Sequence, residues 1–436
     1  ILVYSEMEKV TLKKILDPHL LQNTSINIHT NINKLNLDEL ENIHIPGPDI
    51  EKWSVIRAGY RSNKFSITGI IHTLSSNTII NGLKEYIFGG LESWDALICT
   101  SSSGKEVVER TINFYKESLK EKYNIDFKNH KLPQLFTIPL AVNEITYDKK
   151  LTREEKRQCS RKKLGIPEDA IVILFLGRLS FHGKAHPLPI YRTISKLNSE
   201  IHNKEIILLE CGSFANKSIE TYYNKLIRSF KNLTVKRVGG INQASEIAKI
   251  DSLNSADIFV SLSDNIQETF GLTVIEAMAA ELPCIVSDWN GYRDLVKNNE
   301  TGYLIPTKYG GEYDEEINDV DIDYKIERIN FDYMIGLKSM ITVIDENTFN
   351  KKLRFLIDNK TFRESMGRNS KKRWNDFFRW KVVSDQYREL WINLKEIRDS
   401  SSNSIKSILF HPPIDYIFKN YPSEINIEEK LFVDKD

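Results

Sequence analysis

From residue 171 onward, short apolar runs alternate with amphipathic segments, and few folds accommodate that alternation. Residues 171–176, 206–209, 234–238, 258–262 and 284–287 are continuous apolar or β-branched stretches. Such runs mark parallel strands covered on both faces. Helical segments at 189–203, 218–231 and 244–256 lie between them. The pattern predicts a doubly wound α/β domain that binds its ligand at the carboxyl ends of the strands.

Residues 257–306 narrow the chemistry. The strand at 258–262 enters a polar loop that holds Glu268, then Phe270, Gly271 and Leu272, then a helix carrying Glu276. A loop that ends in glycine and opens a helix presents free backbone N–H groups and the positive end of a dipole, which suits a phosphate. Two glutamates with seven residues between them flank that loop. Their carboxylates can accept hydrogen bonds from neutral hydroxyls on both sides of a bound phosphate. A phosphate flanked by hydroxyl-rich groups describes a nucleotide sugar.

This arrangement resembles the donor-site signature of the retaining, nucleotide-sugar-dependent glycosyltransferases of group 1, which are family 4-like and have the GT-B fold. The residues that carry the resemblance are Glu268, Phe270, Gly271 and Glu276. They are flanked by Ala256-Asp257, by Glu276-Ala277-Met278-Ala279 and by Pro283. Glu281 stands where the family usually has glycine, a departure expected to alter only the helix end. The resemblance spans roughly residues 43–397. It implies an α/β chain with two Rossmann-like doubly wound domains facing each other across a cleft.

The first strand ends in Gly177-Arg178-Leu179-Ser180, with His182, Gly183, Lys184 and His186 close behind. A diphosphate leaving group gains negative charge as the glycosidic bond breaks, and two fixed cations stabilise it without a metal. The alternative is a pair of solvated surface cations. The resemblance assigns Arg178 and Lys184 to the donor diphosphate, together with the N–H groups of Phe270, Gly271 and Leu272. It assigns Glu276 to ribose hydroxyls, the stretch at Val238 and Gly239 to the base, and Glu268 to the transferred sugar. Glu210-Cys211-Gly212-Ser213 is expected as a second pocket loop. His182 and His186 have i, i+4 spacing, but Pro187 follows at once and no third ligand is evident, so packing or hydrogen bonding is the expected role.

The first half is a looser α/β pattern. Residues 65–73 read as a strand ending in His72, residues 94–101 as another, and residues 136–143 as a short strand and loop. The resemblance makes His72 the histidine that faces the donor sugar across the cleft, so His72 and Glu268 are the expected catalytic pair. Related chains usually begin with a strand and a glycine-rich loop, whereas residues 1–42 contain no glycine. The implied domains are 1–147 on the acceptor side, a linker at 148–165 acting as hinge, and a donor domain at 166–372. Helices at 373–399 would cross back to the first domain, with Trp380, Val383, Tyr387, Leu390, Trp391 and Leu394 packing there, and residues 400–436 would form a tail.

Composition removes other classes. The 436 residues carry 60 Lys+Arg against 60 Asp+Glu, which leaves no general electrostatic argument for nucleic acid. The four cysteines show no metal-binding spacing and read as buried reduced thiols of a cytosolic protein. No apolar run reaches the length of a spanning helix. Residues 149–163 are basic and read as a solvated linker helix, or more sharply as a contact with an anionic membrane surface at the inner face. Residues 312–323 are acidic, and Asp319, Asp321 and Asp323 read as a solvated loop rather than a metal motif.

The expected activity is metal-independent transfer, with retention, from a UDP- or GDP-sugar to a carbohydrate or glycoconjugate. No cofactor is expected beyond that co-substrate. Two alternatives stay open: a nucleotide-sugar hydrolase or epimerase of the same fold, and an inactive nucleotide-sugar-binding partner subunit.

Overall fold

The structure is a computed structural model. It describes residues 1–436 except 4, 17–25, 31–35, 38, 58–60, 126, 128–130, 146–149, 311–318, 402–411, 413 and 422–436. Three sheets are present among the described residues. The first contains β1 (Asn42–Ile45), β2 (Ser66–Ile70), β3 (Ala96–Cys99) and β4 (Gln134–Thr137), parallel and in that order. The second contains β5 (Ile171–Leu176), β6 (Ile206–Ser213), β7 (Thr234–Gly240), β8 (Ile258–Ser261), β9 (Cys284–Ser287) and β10 (Gly302–Ile305). Its order is β10-β9-β8-β5-β6-β7, again parallel. A short antiparallel pair, β11 (Thr307–Tyr309) and β12 (Thr342–Ile344), lies beyond it.

The continuous apolar runs are explained by two-sided burial. Along β5, Val172, Leu174 and Leu176 enter one core, while Ile171, Ile173 and Phe175 enter the other. β6 divides in the same way, with Ile207 and Leu209 on one side and Ile206 and Leu208 on the opposite side. In the first sheet, Ile67, Leu97 and Cys99 pack with Val108 and Ile112 on one face. On the other face, Ile70, Ala96 and Ile98 meet Val383, Leu390 and Leu394 of the helix Trp380–Ser400. That helix crosses back from the second domain, and Arg398 ties it down by donating to Ser66 Oγ at 3.0 Å. Trp380 does not share the packing expected of it: it lies at the helix start and is 57% exposed.

Several boundaries differ from those read in the sequence. Residues 210–213 were expected as a loop but extend β6, and β7 runs two residues past the strand read at 234–238, through Gly239 and Gly240. Glycine there is compatible with a strand because the backbones approach closely. A Cβ on Gly212 would lie 1.8 Å from the Gly177 carbonyl oxygen, and one on Gly239 would lie 2.2 Å from that of Gly212. β1 and β10 were not anticipated. Glu281 adopts φ +64, a left-handed conformation that favours glycine, the residue type the resemblance implies there.

In the segment 148–165, the helix side that carries Arg153, Arg157 and Arg161 is engaged, while Glu154, Glu155, Gln158, Lys162 and Lys163 stay exposed. The helix Arg153–Leu164 docks on the second domain. Arg161 donates to Asp257 Oδ2 at 2.7 Å and Arg157 to Asp257 Oδ1 at 3.3 Å. Arg153 donates to the Ala256 carbonyl at 2.7 Å. Three of the cations that would have faced a membrane are therefore engaged internally. Residues 312–318 of the acidic stretch lie outside the described residues. Asp319, Asp321 and Asp323 belong to a helix, Asp319–Lys325, rather than a loop. Cys99, Cys211 and Cys284 are buried, but Cys159 is exposed on the docked helix. No helix among the described residues is long and apolar enough to cross a membrane.

One buried ion pair organises the first sheet. Arg57 donates to Asp95 at 3.0 and 2.6 Å, to the Phe65 carbonyl at 3.0 Å and to the Gly90 carbonyl at 2.8 Å. Asp95 in turn accepts from the backbone of Ile67 at 2.7 Å and of Glu92 at 2.8 Å. Both side chains are fully buried. Replacing Arg57 by Met leaves a buried carboxylate without its cation, so unfolding in urea should become easier by roughly 3–5 kcal/mol. An unchanged midpoint would show that Asp95 does not need the partner.

Candidate functional site

The order of the second sheet diverges between β5 and β8, and a crevice opens at such a switch point beyond the strand ends. These two strands lead directly into the residues singled out in the sequence. β5 runs into Gly177, Arg178 and the turn that carries Lys184. β8 runs into the loop that holds Gln267, Glu268 and Thr269. A cavity of about 370 Å³ lies there, lined by Arg178, Lys184, Glu268 and Thr273 from the second domain and by His72 and Thr73 from the first. His72 follows β2 directly, at the carboxyl end of the first sheet.

Charge in the cavity is tightly compensated. Lys184 Nζ donates to Glu268 Oε2, and Tyr292 Oη donates to the same oxygen at 3.3 Å. The Phe270 N–H also bonds the Glu268 carboxylate. Burial pushes the Glu268 carboxyl up, but Lys184 and these donors hold it below the usual carboxylate range. Burial pulls the Lys184 ammonium down, yet Tyr292 and Glu268 hold it well above its usual value. Both groups are therefore charged near neutral pH. Arg178 is exposed and donates to Gln267 Oε1 at 3.0 Å and to the Gly183 carbonyl at 3.3 Å.

Gly271 begins the helix Leu272–Ala279 with φ +110, and a Cβ there would come within 2.4 Å of the Tyr292 ring. Only glycine allows the loop to turn so sharply into the helix while Tyr292 stays under Glu268. Phe270 is buried in the core, and Leu272 is half-exposed. Two hydroxyls at the cavity, Thr73 Oγ1 and Thr273 Oγ1, are buried without a hydrogen-bond partner. An unsatisfied buried hydroxyl is costly, so this pair marks a place suited to a polar ligand.

Glu276 lies one helical turn further in. Burial raises its carboxyl, while Lys249 opposes this and donates to it at 3.0 Å. Val238 and Gly239 sit at the end of β7, two strands away from β5, and are not part of the 370 Å³ cavity. The structure thus brings His72, Arg178, Lys184 and Glu268 together. It places Glu276, Val238 and Gly239 further along the same sheet edge.

His182 and His186 are engaged internally. The Leu188 N–H donates to His186 Nδ1 at 3.2 Å, and His186 Nε2 lies 3.3 Å from Tyr222 Oη. Sequence reasoning missed Tyr292, Lys249, Thr269 and Thr273. Tyr292 also lies 2.8 Å from Ser261 Oγ at the end of β8. Only tertiary packing brings it under Glu268. Thr273 was more legible, as a hydroxyl two residues after Gly271 in the helix that the loop opens.

Thr269 joins the two domains. Its hydroxyl donates to the His72 carbonyl at 2.8 Å, and its own carbonyl accepts from Ser101 Oγ at 2.7 Å. Ser101 also caps the helix Ser102–Tyr123 by accepting from Gly104 N–H at 3.0 Å.

Residues 156–329 match the family described as glycosyl transferases group 1. An uncharacterised glycosyltransferase of Methanocaldococcus jannaschii is 27% identical over 212 residues, 49% of this chain and 47% of that protein. A D-inositol 3-phosphate glycosyltransferase of Corynebacterium aurimucosum is 28% identical over 157 residues, 34% of each chain. The chain therefore spans half or less of the length of these curated relatives. Among solved structures, sucrose-phosphate synthase from Thermosynechococcus elongatus aligns with a TM-score of 0.51 at 17% identity, covering 82% of this chain and 74% of that one. Anabaena HepE in complex with UDP aligns with a TM-score of 0.51 at 13% identity, covering 88% and 89%. These likenesses give the fold: two Rossmann-like domains in the GT-B arrangement.

In the loop after β8, Asp264 provides a pH-dependent readout of the fold. Its Oδ2 accepts from the His186 N–H at 3.2 Å, while its Oδ1 has no partner. Burial pushes its carboxyl up to about 7. Between the unfolded value near 4 and this folded value the native state holds the extra proton, so stability falls as pH rises through that window. Chemical denaturation of the parent should therefore show a decline from pH 5 to pH 8 that Asp264→Asn reduces. Parallel pH profiles for the two proteins would show that Asp264 titrates normally.

Proposed function

From the match of residues 156–329 to the group 1 glycosyl transferases, we propose that the chain moves a sugar from a nucleoside-diphosphate sugar to a carbohydrate or glycoconjugate, with retention and without a metal. The observation that carries this reading is the buried Lys184–Glu268 pair at the sheet's switch point, with Arg178 beside it and His72 opposite.

In the proposed mechanism, Arg178 and Lys184 hold the donor diphosphate with the N–H groups of Gly271 and Leu272 at the helix start, and the Thr273 hydroxyl adds a donor. Charge on the departing phosphate grows as the glycosidic bond breaks, and fixed cations in a site that excludes water stabilise it best at that moment. Lys184 is already neutralised by Glu268, so diphosphate binding draws the ammonium toward the phosphate. The Glu268 carboxylate then keeps its Tyr292 and Phe270 donors and is free to accept from the sugar hydroxyls. His72 orients that sugar from the first domain. Glu276 accepts from the ribose, with Val238 and Gly239 beside the base. The departing phosphate takes the acceptor proton on the same face, so no protein nucleophile is required.

Lys184→Ala should lower stability by leaving the Glu268 carboxylate without its cation, and, compared at a temperature where both proteins are folded, should slow transfer by roughly a hundredfold or more, the scale for losing a transition-state charge partner. Release of nucleotide from UDP- and GDP-sugars, with and without mixed acceptors, measures this. Parent-like rates in the variant would remove Lys184 from the diphosphate. Chelation with EDTA should leave the parent rate intact, and loss restored by a divalent ion would overturn the metal-free mechanism.

The two glutamates should separate. Glu276→Gln is expected to weaken UDP or GDP binding, because ribose contacts are made alike in ground and transition states. Glu268→Gln should lower turnover while leaving nucleotide affinity equal or tighter, since it frees Lys184. Calorimetric titration of both variants with the bare nucleotides tests this. Equal weakening in the two would contradict the division of roles.

A further inference from the structure

A second void, of about 710 Å³, adjoins the donor cavity and shares Glu268 and Thr269 with it. Its walls come from both domains. Val107 and Phe114 stand seven residues apart, on one face of the helix Ser102–Tyr123. Ile322 and Ile326 line the same void from the helix Asp319–Lys325 and the turn that follows it. These four side chains are 43%, 61%, 39% and 58% exposed. Large apolar groups that converge from two domains on one void, and remain this open, expose a contiguous apolar surface of the kind that marks a binding site.

The helix Asp319–Lys325 is bonded to both domains. Asn77 Nδ2 donates to the Tyr324 carbonyl at 3.0 Å, and the Asn77 N–H donates to Tyr324 Oη at 3.2 Å. Lys325 bonds Asn81 on the same helix of the first domain. On the other side, Asp321 pairs with Lys338 of the second domain at 2.9 Å. The helix therefore contacts both domains where it lines the void. Ser75 Oγ, also at this void, is buried without a partner.

Resting on the transferase reading above, we propose that this void receives the apolar aglycone of the acceptor: a hydrocarbon chain attached close to the hydroxyl that takes the sugar. The direction follows from the shared residues. Glu268 borders the donor cavity on one side and this void on the other, so an acceptor hydroxyl reaching the donor sugar would leave the rest of its molecule in the void. The size suits a single chain of moderate length, since small-molecule pockets run to roughly 300–1,000 Å³. A purely polar acceptor would leave the aliphatic walls wet.

The test is calorimetric titration of the full chain with methyl β-glucoside and octyl β-glucoside below the micelle concentration, alongside UDP and GDP. Octyl glucoside should bind at least tenfold tighter than methyl glucoside. Val107→Asp and Ile322→Asp, on opposite walls, should each abolish that preference and leave nucleotide affinity unchanged. Equal affinity for the two glucosides overturns the proposal, and with nucleotide still bound the transferase reading is untouched. A chain-length preference that survives both variants places the detergent elsewhere and overturns it as well. A preference abolished by the variants but without UDP or GDP binding overturns the acceptor assignment through failure of the transferase reading itself.

Discussion

The Lys184 ammonium sets the constraint around which the second domain's ligand edge is arranged. A buried cation must be compensated inside the protein, and Glu268 does this directly. Glu268 is held by Tyr292 and the Phe270 N–H. Tyr292 fits beneath it because Gly271 has no side chain to collide with its ring. A break at any link leaves a charge or a hydroxyl unmatched in the interior. The same links aim a cation, a carboxylate and a helix start at one point, so the stability requirement and the site geometry rest on one set of contacts.

The sheet supplies the frame for that set. Its order diverges between β5 and β8, which leaves the crevice between their carboxyl ends uncovered by a crossing connection. On the other side of the crevice, the ends of β5, β6 and β7 come together through Gly177, Gly212 and Gly239, with carbonyl oxygens where side chains would otherwise stand. The resulting edge offers backbone groups and little bulk. The charged groups stay grouped at the switch point between β5 and β8.

Much of this was legible in the sequence, because parallel strands buried on both faces leave a strong imprint. The alternation of Val172, Leu174 and Leu176 with Ile171, Ile173 and Phe175 between two cores is what makes the run uniformly apolar. Residues at strand ends were legible for the same reason: Arg178 follows β5, and Glu268 lies in the loop after β8. What was not legible depends on contacts distant in sequence. Tyr292 reaches Glu268 only after β9 folds back beside β8. The arginines of the helix Arg153–Leu164 look like a solvated basic face until Asp257 and the carbonyls of residues 254–256 are placed against them. β1 and β10 are four residues long and carry polar or aromatic positions that dilute their pattern. Trp380 followed the helical spacing but lies at the first turn, beyond the face that meets the first sheet.

Thr269 links the site to the disposition of the domains. It lies between Glu268 and Phe270, so the residue that touches the first domain is covalently bracketed by the two that define the carboxylate's position. Its hydroxyl binds the His72 carbonyl and its carbonyl binds Ser101, which caps a helix of the opposite domain. Each such hydrogen bond contributes only about 1 kcal/mol net, an amount that domain motion can exchange with water. Separating the domains must break both, withdrawing His72 from the cavity and releasing the loop that carries Glu268. The loop that carries Glu268 and the strand end that carries His72 are thus joined through one residue, and the helix Asp319–Lys325, bonded to Asn77 and Asn81 on one side and to Lys338 on the other, spans the same two domains beside the neighbouring void.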